Sequence, residues 1–193
     1  LGDIKFNPRF LASHIFYGDR YTINPSVVKV LTYEEYRPDA KDLGKESSAC
    51  IAKYGEDFVE VGPRARFVSY RDFRDDRLIG IHIARLLEIE LCLQRVLEIL
   101  EMLNLNEPFR TPELLFHAGE GIGVYEAPRG TLIHFIRLDD TGRIAYFKVI
   151  VPTMFNIPMM EKAAEKLPPK LADLAARIYD PCIPCSTHLV KVG

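Results

Sequence analysis

Two thiols and an imidazole fall within seven positions in the run Asp180-Pro181-Cys182-Ile183-Pro184-Cys185-Ser186-Thr187-His188. Two cysteines three apart can place both sulfurs on one metal, because the intervening pair folds into a turn. Alone they make half a site, since a tetrahedral or bimetallic centre needs further ligands. Three chemistries are open to the pair: half of a zinc-binding module, a redox dithiol, or part of a larger metal centre. For zinc, the remaining ligands would be Cys50, Cys92 or a histidine. Cys92 stands in an apolar run, where a free thiol ordinarily fills core, and Cys50 has no second ligand at metal spacing. A thioredoxin-like dithiol sits at a helix N-terminus that lowers its thiol pKa, whereas this pair follows a helix end. Neither ordinary reading accounts for it well.

Arg129 is the other side chain whose neighbours suggest chemistry. Pro128 restricts the backbone before it and Gly130 frees the backbone after it, so the guanidinium is aimed. A salt bridge near a turn is the competing explanation. His134 falls on a strand, and His14, His82 and His117 are unclustered; all four read as structural histidines. Gly119-Glu120-Gly121-Ile122-Gly123 lacks the Gly-Lys-Ser/Thr end of a phosphate loop and reads as tight backbone in a loop. Asp75-Asp76 and the stretch from Glu161 to Glu165 read as solvated helix faces.

The elements that must position these groups follow from periodicity and punctuation. Residues Arg9 to Tyr17 suggest a short helix, and Pro25 suggests another through Leu31. Tyr36 to Ser48 reads as surface loop, and Phe58 to Pro63 as an extended stretch broken at Gly62-Pro63. From Asp72 to Asn104 apolar residues fall nearly all round, which predicts a long helix buried on several faces. Two strands, Thr131 to Leu138 and Arg143 to Val151, are joined by Asp139-Asp140-Thr141-Gly142, a hairpin signal. A second helix, Met159 to Ile178, is interrupted at Pro168-Pro169 and leads to the cysteines. The fold class is therefore α+β, with buried long helices and a small antiparallel hairpin.

The chain has 193 residues and 48% hydrophobic composition, enough for a real core. Its 25 basic and 27 acidic residues give a net charge of −2, which argues against nucleic acid as a main partner. No apolar run approaches the roughly 20 residues that span a bilayer, so no transmembrane segment is expected. Leu1 to Phe6 carries neither the basic nor the apolar region of a signal peptide. Four cysteines, two single and one pair, suit a reducing compartment better than a secreted disulfide scaffold. The expected location is cytoplasmic.

Four segments, in this order, resemble signature stretches of the large subunit of nickel-iron hydrogenases. They are Val61-Gly62-Pro63-x-Ala65-Arg66, Glu126-Ala127-Pro128-Arg129-Gly130-x-Leu132-x-His134, Val151-Pro152-Thr153-x-x-Asn156 and Asp180-Pro181-Cys182-x-x-Cys185-x-x-His188. The whole chain, 1–193, then reads as a C-terminal portion of such a subunit: residues 58–188 carry the motifs, 1–57 carry none, and 189–193 form a tail. The Ser-Thr-His ending is most similar to the F420-, NAD(P)- or heterodisulfide-reductase-linked groups.

The resemblance implies an oxidoreductase that splits H2 heterolytically and reversibly at a nickel-iron centre with carbon monoxide and cyanide on iron. It implies Cys182 as a terminal nickel ligand that also takes the proton, and Cys185 as a bridge to iron. Arg129 would act beside Cys182, and Ala127, Pro128, Arg129, Val151, Pro152 and Thr153 would line the pocket for the diatomic ligands. A magnesium or iron ion would bind His188 and the Val149 carbonyl. An iron-sulfur small subunit would carry electrons away. The family's other Cys-x-x-Cys has no counterpart here, so the N-terminal portion of the large subunit would have to supply it. A relic that builds no centre is the contrary reading, and the intact Cys182, Cys185 and His188 weigh against it. Many members are trimmed after the histidine matching His188; the five residues left here suit an unprocessed extension, a member needing no trimming, or a harmless tail. The alternatives to an enzyme are a non-catalytic electron-transfer or scaffold subunit of the same fold, and a plain zinc-binding module.

Overall fold

The computed structural model describes residues 2–15, 22–40, 49–108, 110 and 117–182. Cys185, His188 and the tail after it lie outside the described residues. The chain is α+β: small sheets and helices pack around two apolar clusters that meet at one helix. Strand β1 (Arg9–Phe10) pairs in parallel with β4 (Val59–Glu60), and β2 (Val28–Thr32) pairs antiparallel with β3 (Cys50–Tyr54). Helix α1 (Tyr33–Tyr36) is started by a Thr32/Glu35 capping box. Helix α2 (Pro63–Tyr70) begins directly after Gly62, with Pro63 in the first turn, where its missing N–H costs nothing.

Long helix α3 (Gly80–Met102) follows, then a three-stranded antiparallel sheet of β5 (Gly119–Ala127), β6 (Gly130–Leu138) and β7 (Ile144–Ile150). The β6–β7 turn uses the Asp139 carboxylate, which accepts from the Thr141 and Arg143 N–H groups. Pro152 ends the sheet and opens α4 (Pro152–Ala164); a 3₁₀ turn at Pro169–Leu171 leads to α5 (Asp173–Tyr179).

Helix α4 is the hub. Its Ile157, Met159, Met160 and Ala163 join Ile51, Leu78, Ile81, Ala175 and Ile178 in one cluster. Phe155, from the same helix, joins Val59, Val61, Ile133 and Ile150 in the other. The site-bearing segments thus attach to one rigid rod.

Several local expectations are corrected. Arg9–Phe10 is a strand rather than the start of a helix, because it finds a partner in β4. Only Pro25–Val27 makes a 3₁₀ turn; Val28 onward is strand, where the alternation of Val28, Val30 and Thr32 meets β3. Gly119, Gly121 and Gly123 lie in β5 opposite Leu138, Ile136 and His134, so the expected loop is a strand and the sheet has two hairpins. The second helix starts at Pro152 and carries Pro158 inside it.

The largest departure is α3. Only Gly80, Ile81 and Ala84 of it are buried, and Leu86, Leu93, Leu97 and Leu100 are mostly exposed. Cys92 is accordingly exposed rather than core filling. The carboxylates read as solvated are also engaged: Glu161 accepts from the Tyr33 and Tyr36 hydroxyls and pairs with Arg37. Asp75 pairs with Arg77, whose guanidinium holds its carboxyl down at about 2.

Candidate metal centre

Arg129 sits at the tip of the β5–β6 hairpin. Ala127 pairs with Gly130, leaving Pro128 and Arg129 as a two-residue turn. Proline presets the first turn position, and Gly130 takes φ +130, which only glycine adopts without strain. Gly130 is also a point of close approach. A Cβ there would lie 2.4 Å from Val61 Cγ2 and 2.7 Å from the Gly62 nitrogen. Gly62, at φ +119, faces the Arg129 carbonyl, which a Cβ would meet at 3.0 Å. Two glycines from different motifs therefore let the hairpin tip rest on the turn before α2.

Polar clips fix that contact. Buried Asn156 on α4 reads Val61 as a neighbouring strand would: Val61 N–H donates to its Oδ1 at 3.0 Å, and its Nδ2 donates to the Val61 carbonyl at 3.1 Å. The same amide reaches the Arg129 carbonyl at 3.5 Å. From below, buried Arg66 spends all five of its N–H bonds. Two go to Glu88, one to Glu126, and one each to the Ala127 and Pro128 carbonyls. Burial opposes its charge, but Glu88 and Glu126 outweigh that and keep the guanidinium protonated. Glu126 is held further by the Ser13 N–H and the hydroxyls of Ser13 and Thr131, all on Oε1. His14 accepts the Glu126 N–H through Nε2.

A second buried network anchors the end of α5. Glu60 takes both Nε and Nη2 of Arg64 and the hydroxyl of Tyr179 at 2.6 Å. Burial, then the Glu60 charge, pushes the Tyr179 phenol well above its ordinary value, so it stays a donor. Helix α5 then stops because Asp180 takes a left-handed conformation, φ +53, ahead of Pro181. There Arg129 closes the ring: its Nε donates to the Asp180 carbonyl, and its Nη2 pairs with the Asp180 carboxylate at 2.9 Å. The next described residue but one is Cys182, half-buried, whose N–H donates to the buried Thr153 hydroxyl at 3.4 Å.

Just past the end of α5, Cys182 thus meets Thr153 of the first turn of α4, and Asp180, two residues before it, meets Arg129 of the β5–β6 tip. Ala127 is tied in by Arg66, while Val151 and Pro152 precede Thr153 on the same chain. Val149 lies on β7, paired with His134 of β6. Cys185 and His188 lie outside the described residues. Beside Arg129 opens a groove of about 450 Å³, lined by Pro128, Arg129 and Asp180 on one side and by Arg85, Glu88, Ile89, Cys92, Leu93 and Val96 of α3 on the other. Among the described residues no group of three His, Cys, Asp or Glu side chains could hold a metal ion. A zinc site completed by Cys50 or Cys92 is therefore not formed among them. Also among the described residues, no helix is long and apolar enough to cross a membrane.

Reading the residues singly misses the positioning set of Arg66, Glu126, Asn156 and the Glu60–Arg64–Tyr179 triad. Glu60 and Arg64 stand four apart, a local hint. Nothing local marks Arg66 as a clamp on residues 60 positions away.

A family profile described as nickel-dependent hydrogenase matches residues 73–188. The chain is similar to the coenzyme F420 hydrogenase subunit alpha of Methanothermobacter thermautotrophicus, 35% identical over 96% of this chain and 46% of that one. It is 37% identical to the subunit of the same name from Methanocaldococcus jannaschii, over 94% of this chain and 43% of that one. The fold is similar to that of the Ni-Fe-Se hydrogenase from D. vulgaris Hildenborough in the reduced state, with TM-score 0.67 and 18% identity, covering 96% of this chain and 52% of that one. The chain thus spans less than half the length of these two curated relatives.

Proposed function

Since the chain belongs to the nickel-dependent hydrogenase family, we propose that it is the part of a hydrogenase large subunit that supplies half of the thiolate ligands of a nickel-iron centre. The observation that carries this reading is the seating of the Asp180–Cys182 segment between Arg129 and Thr153. The Cys182 N–H donates to the Thr153 hydroxyl, and two residues earlier Asp180 is gripped by Arg129, whose hairpin tip rests on the turn before α2 through the paired Gly62 and Gly130.

The donor set fits such a centre, and soft thiolates suit nickel and low-spin iron. Cys182 and Cys185 would hold the nickel-iron centre through their thiolates; the remaining thiolates would come from the N-terminal portion of the large subunit. Thr153 already accepts the Cys182 N–H, which leaves its own proton to give to an acceptor such as cyanide. Arg129 is anchored through Nε and Nη2, and its Nη1 has no partner among the described residues. Donors so placed satisfy acceptors that a dry pocket would otherwise strand. Ala127, Pro128, Val151 and Pro152 would exclude water around those diatomic ligands. His188 and the Val149 carbonyl would bind a magnesium or iron ion.

The chemistry such a centre supplies when bound is the heterolytic cleavage of H2. Cys182 would hold the proton at Sγ, and Arg129 would fix the orientation of the Asp180–Cys182 segment that carries it. Electrons would leave through an iron-sulfur subunit, with an F420-, NAD(P)- or heterodisulfide-reductase-linked acceptor. Cys182→Ser or Cys185→Ser in the assembled enzyme is expected to abolish H2 uptake and nickel retention together. Retained uptake in either variant would refute the ligand assignment.

A further inference from the structure

Glu60 stands where two supports of Arg129 come together. Along the chain it leads directly into Val61 and Gly62, the turn on which the β5–β6 tip rests through Gly130. Through its carboxylate it takes the Tyr179 hydroxyl at 2.6 Å, and Tyr179 leads directly into Asp180, which Arg129 grips. The contacts form a closed circuit through Glu60, Val61, Gly62, Arg129, Asp180 and Tyr179. Asn156 braces one side of it, since its Nδ2 reaches both the Val61 and the Arg129 carbonyls. Removing the Tyr179 hydroxyl opens the circuit at one point and leaves the guanidinium itself untouched.

The carboxylate at the junction is held in a fixed place. The side chains of Glu60 and Arg64 are 2% and 0% exposed. Arg64 gives Nε and Nη2 to Glu60 and Nη1 to the Arg77 carbonyl. Its guanidinium also lies 5.4 Å from the centroid of the Phe10 ring, on the strand that pairs with Glu60. With a bidentate partner in place, Glu60 keeps its charge without the phenol. Helix α5 has its own anchors as well: Ala175 and Ile178 sit in the core cluster, and Arg85 donates to the Ile178 carbonyl at 3.2 Å. What the hydroxyl adds is a fixed distance between the end of α5 and the turn before α2, just ahead of Cys182.

We propose that Glu60 and Tyr179 are positioning residues that set the place of the Arg129 guanidinium relative to the Cys182 thiol. The proposal rests on the reading of the chain as half of a nickel-iron centre. Tyr179→Phe keeps the buried ring, and Arg64 keeps Glu60 paired, so the variant loses the spacing and little else. A displaced charged group is felt more in turnover than in substrate binding.

Tyr179→Phe is prepared in the nickel-containing assembly. Tyr33→Phe, which takes a hydroxyl from the Glu161 carboxylate, serves as the control. Infrared bands of iron-bound carbon monoxide and cyanide are expected to shift in Tyr179→Phe and to stay in place in Tyr33→Phe, at unchanged nickel content. In Tyr179→Phe, kcat for H2 uptake should fall at least roughly tenfold with KM for H2 held within about twofold. Hydrogen exchange at the Asp180 and Cys182 amides, which donate to Ala176 and Thr153, should quicken at least roughly tenfold. In an Arg129→Lys background the band shift should vanish, because the tyrosine acts through the arginine. Unshifted bands, unchanged exchange or a loss confined to KM overturns the proposal, as does a shift of equal size in the Arg129→Lys background. Loss of assembly in Tyr179→Phe alone would make the hydroxyl a structural prop and overturns it too. An unsubstituted assembly without nickel or diatomic bands refutes the metal centre instead, and the exchange rates then judge the circuit by themselves.

Discussion

Replacing Gly130 by alanine tests the geometry that holds Arg129 against Asp180, two residues before Cys182. Three positions separate the contributions. Gly123 lies in β5 with open space around a Cβ; Gly55 has φ +63, again with open space; Gly130 combines φ +130 with contacts of 2.4 Å and 2.7 Å. Gly123→Ala should be neutral to within about 0.5 kcal/mol. Gly55→Ala carries only the left-handed backbone cost, about 1 kcal/mol after the smaller entropy of the unfolded chain is credited. Gly130→Ala adds overpacking of about 1–3 kcal/mol to that strain. The sum is about 2–4 kcal/mol, and one neighbour is backbone, so a rotamer change cannot relieve it. In a chain of this size each kcal/mol moves the melting temperature by roughly 2–4 °C. Thermal unfolding of the 193-residue chain should therefore fall by about 2–4 °C for Gly55→Ala and by roughly 4–16 °C for Gly130→Ala. Adding Val61→Ala removes the Cγ2 contact but leaves those with the Val61 Cβ at 2.6 Å and the Gly62 nitrogen at 2.7 Å, so rescue should be partial. A Gly130→Ala loss no larger than that of Gly55→Ala would refute the close approach. Full rescue by Val61→Ala would show that the remaining contacts, with the Val61 Cβ and the Gly62 nitrogen, contribute nothing.

Glu161→Gln is expected to lower the titration points of Tyr33 and Tyr36. Burial first, and then the Glu161 hydrogen bond and charge, push Tyr33 up to about 12 and raise Tyr36 likewise. Both phenols favour the folded state when neutral, so their contribution is whole below the unfolded value of about 10. It is lost as pH rises through the folded values, and near-ultraviolet tyrosinate absorbance follows the step. An unchanged titration in Glu161→Gln would remove Glu161 as a cause. Tyr179→Phe takes one donor from a Glu60 that Arg64 still holds, and should cost about 1.5–3 kcal/mol in denaturant unfolding, as expected for a hydrogen bond to a charged acceptor. Asn156→Ala strands the Val61 N–H and carbonyl in the core and should cost about 2–5 kcal/mol; a loss under about 1 kcal/mol would show that Val61 finds other partners.

What sequence reveals here tracks how local the cause is. The β6–β7 hairpin is legible because Asp139 and Gly142 make the turn from within it, and Pro152 marks a boundary in any environment. The β5 strand is not legible, since Gly119, Gly121 and Gly123 have poor strand propensity and hold their place only by pairing with β6. Val28 to Thr32 could join a helix or a strand until β3 is known to lie beside it. The cysteine motif and the Arg129 turn stand out by residue type, whereas Arg66 draws its role from Glu88, Glu126 and two carbonyls that the fold brings to it. The apolar breadth of α3 announces burial but not its partner, which is why a helix expected in the core is largely bare in this chain.

The central claim is that Cys182 is a sulfur ligand to nickel. Nickel K-edge X-ray absorption on the assembly containing this chain addresses it most directly, with Cys182→Ser prepared in parallel. The expected result is a first shell dominated by sulfur that loses a sulfur scatterer, or loses the nickel altogether, in the serine variant. A shell of nitrogen and oxygen alone, or a sulfur shell unchanged by Cys182→Ser, would contradict it.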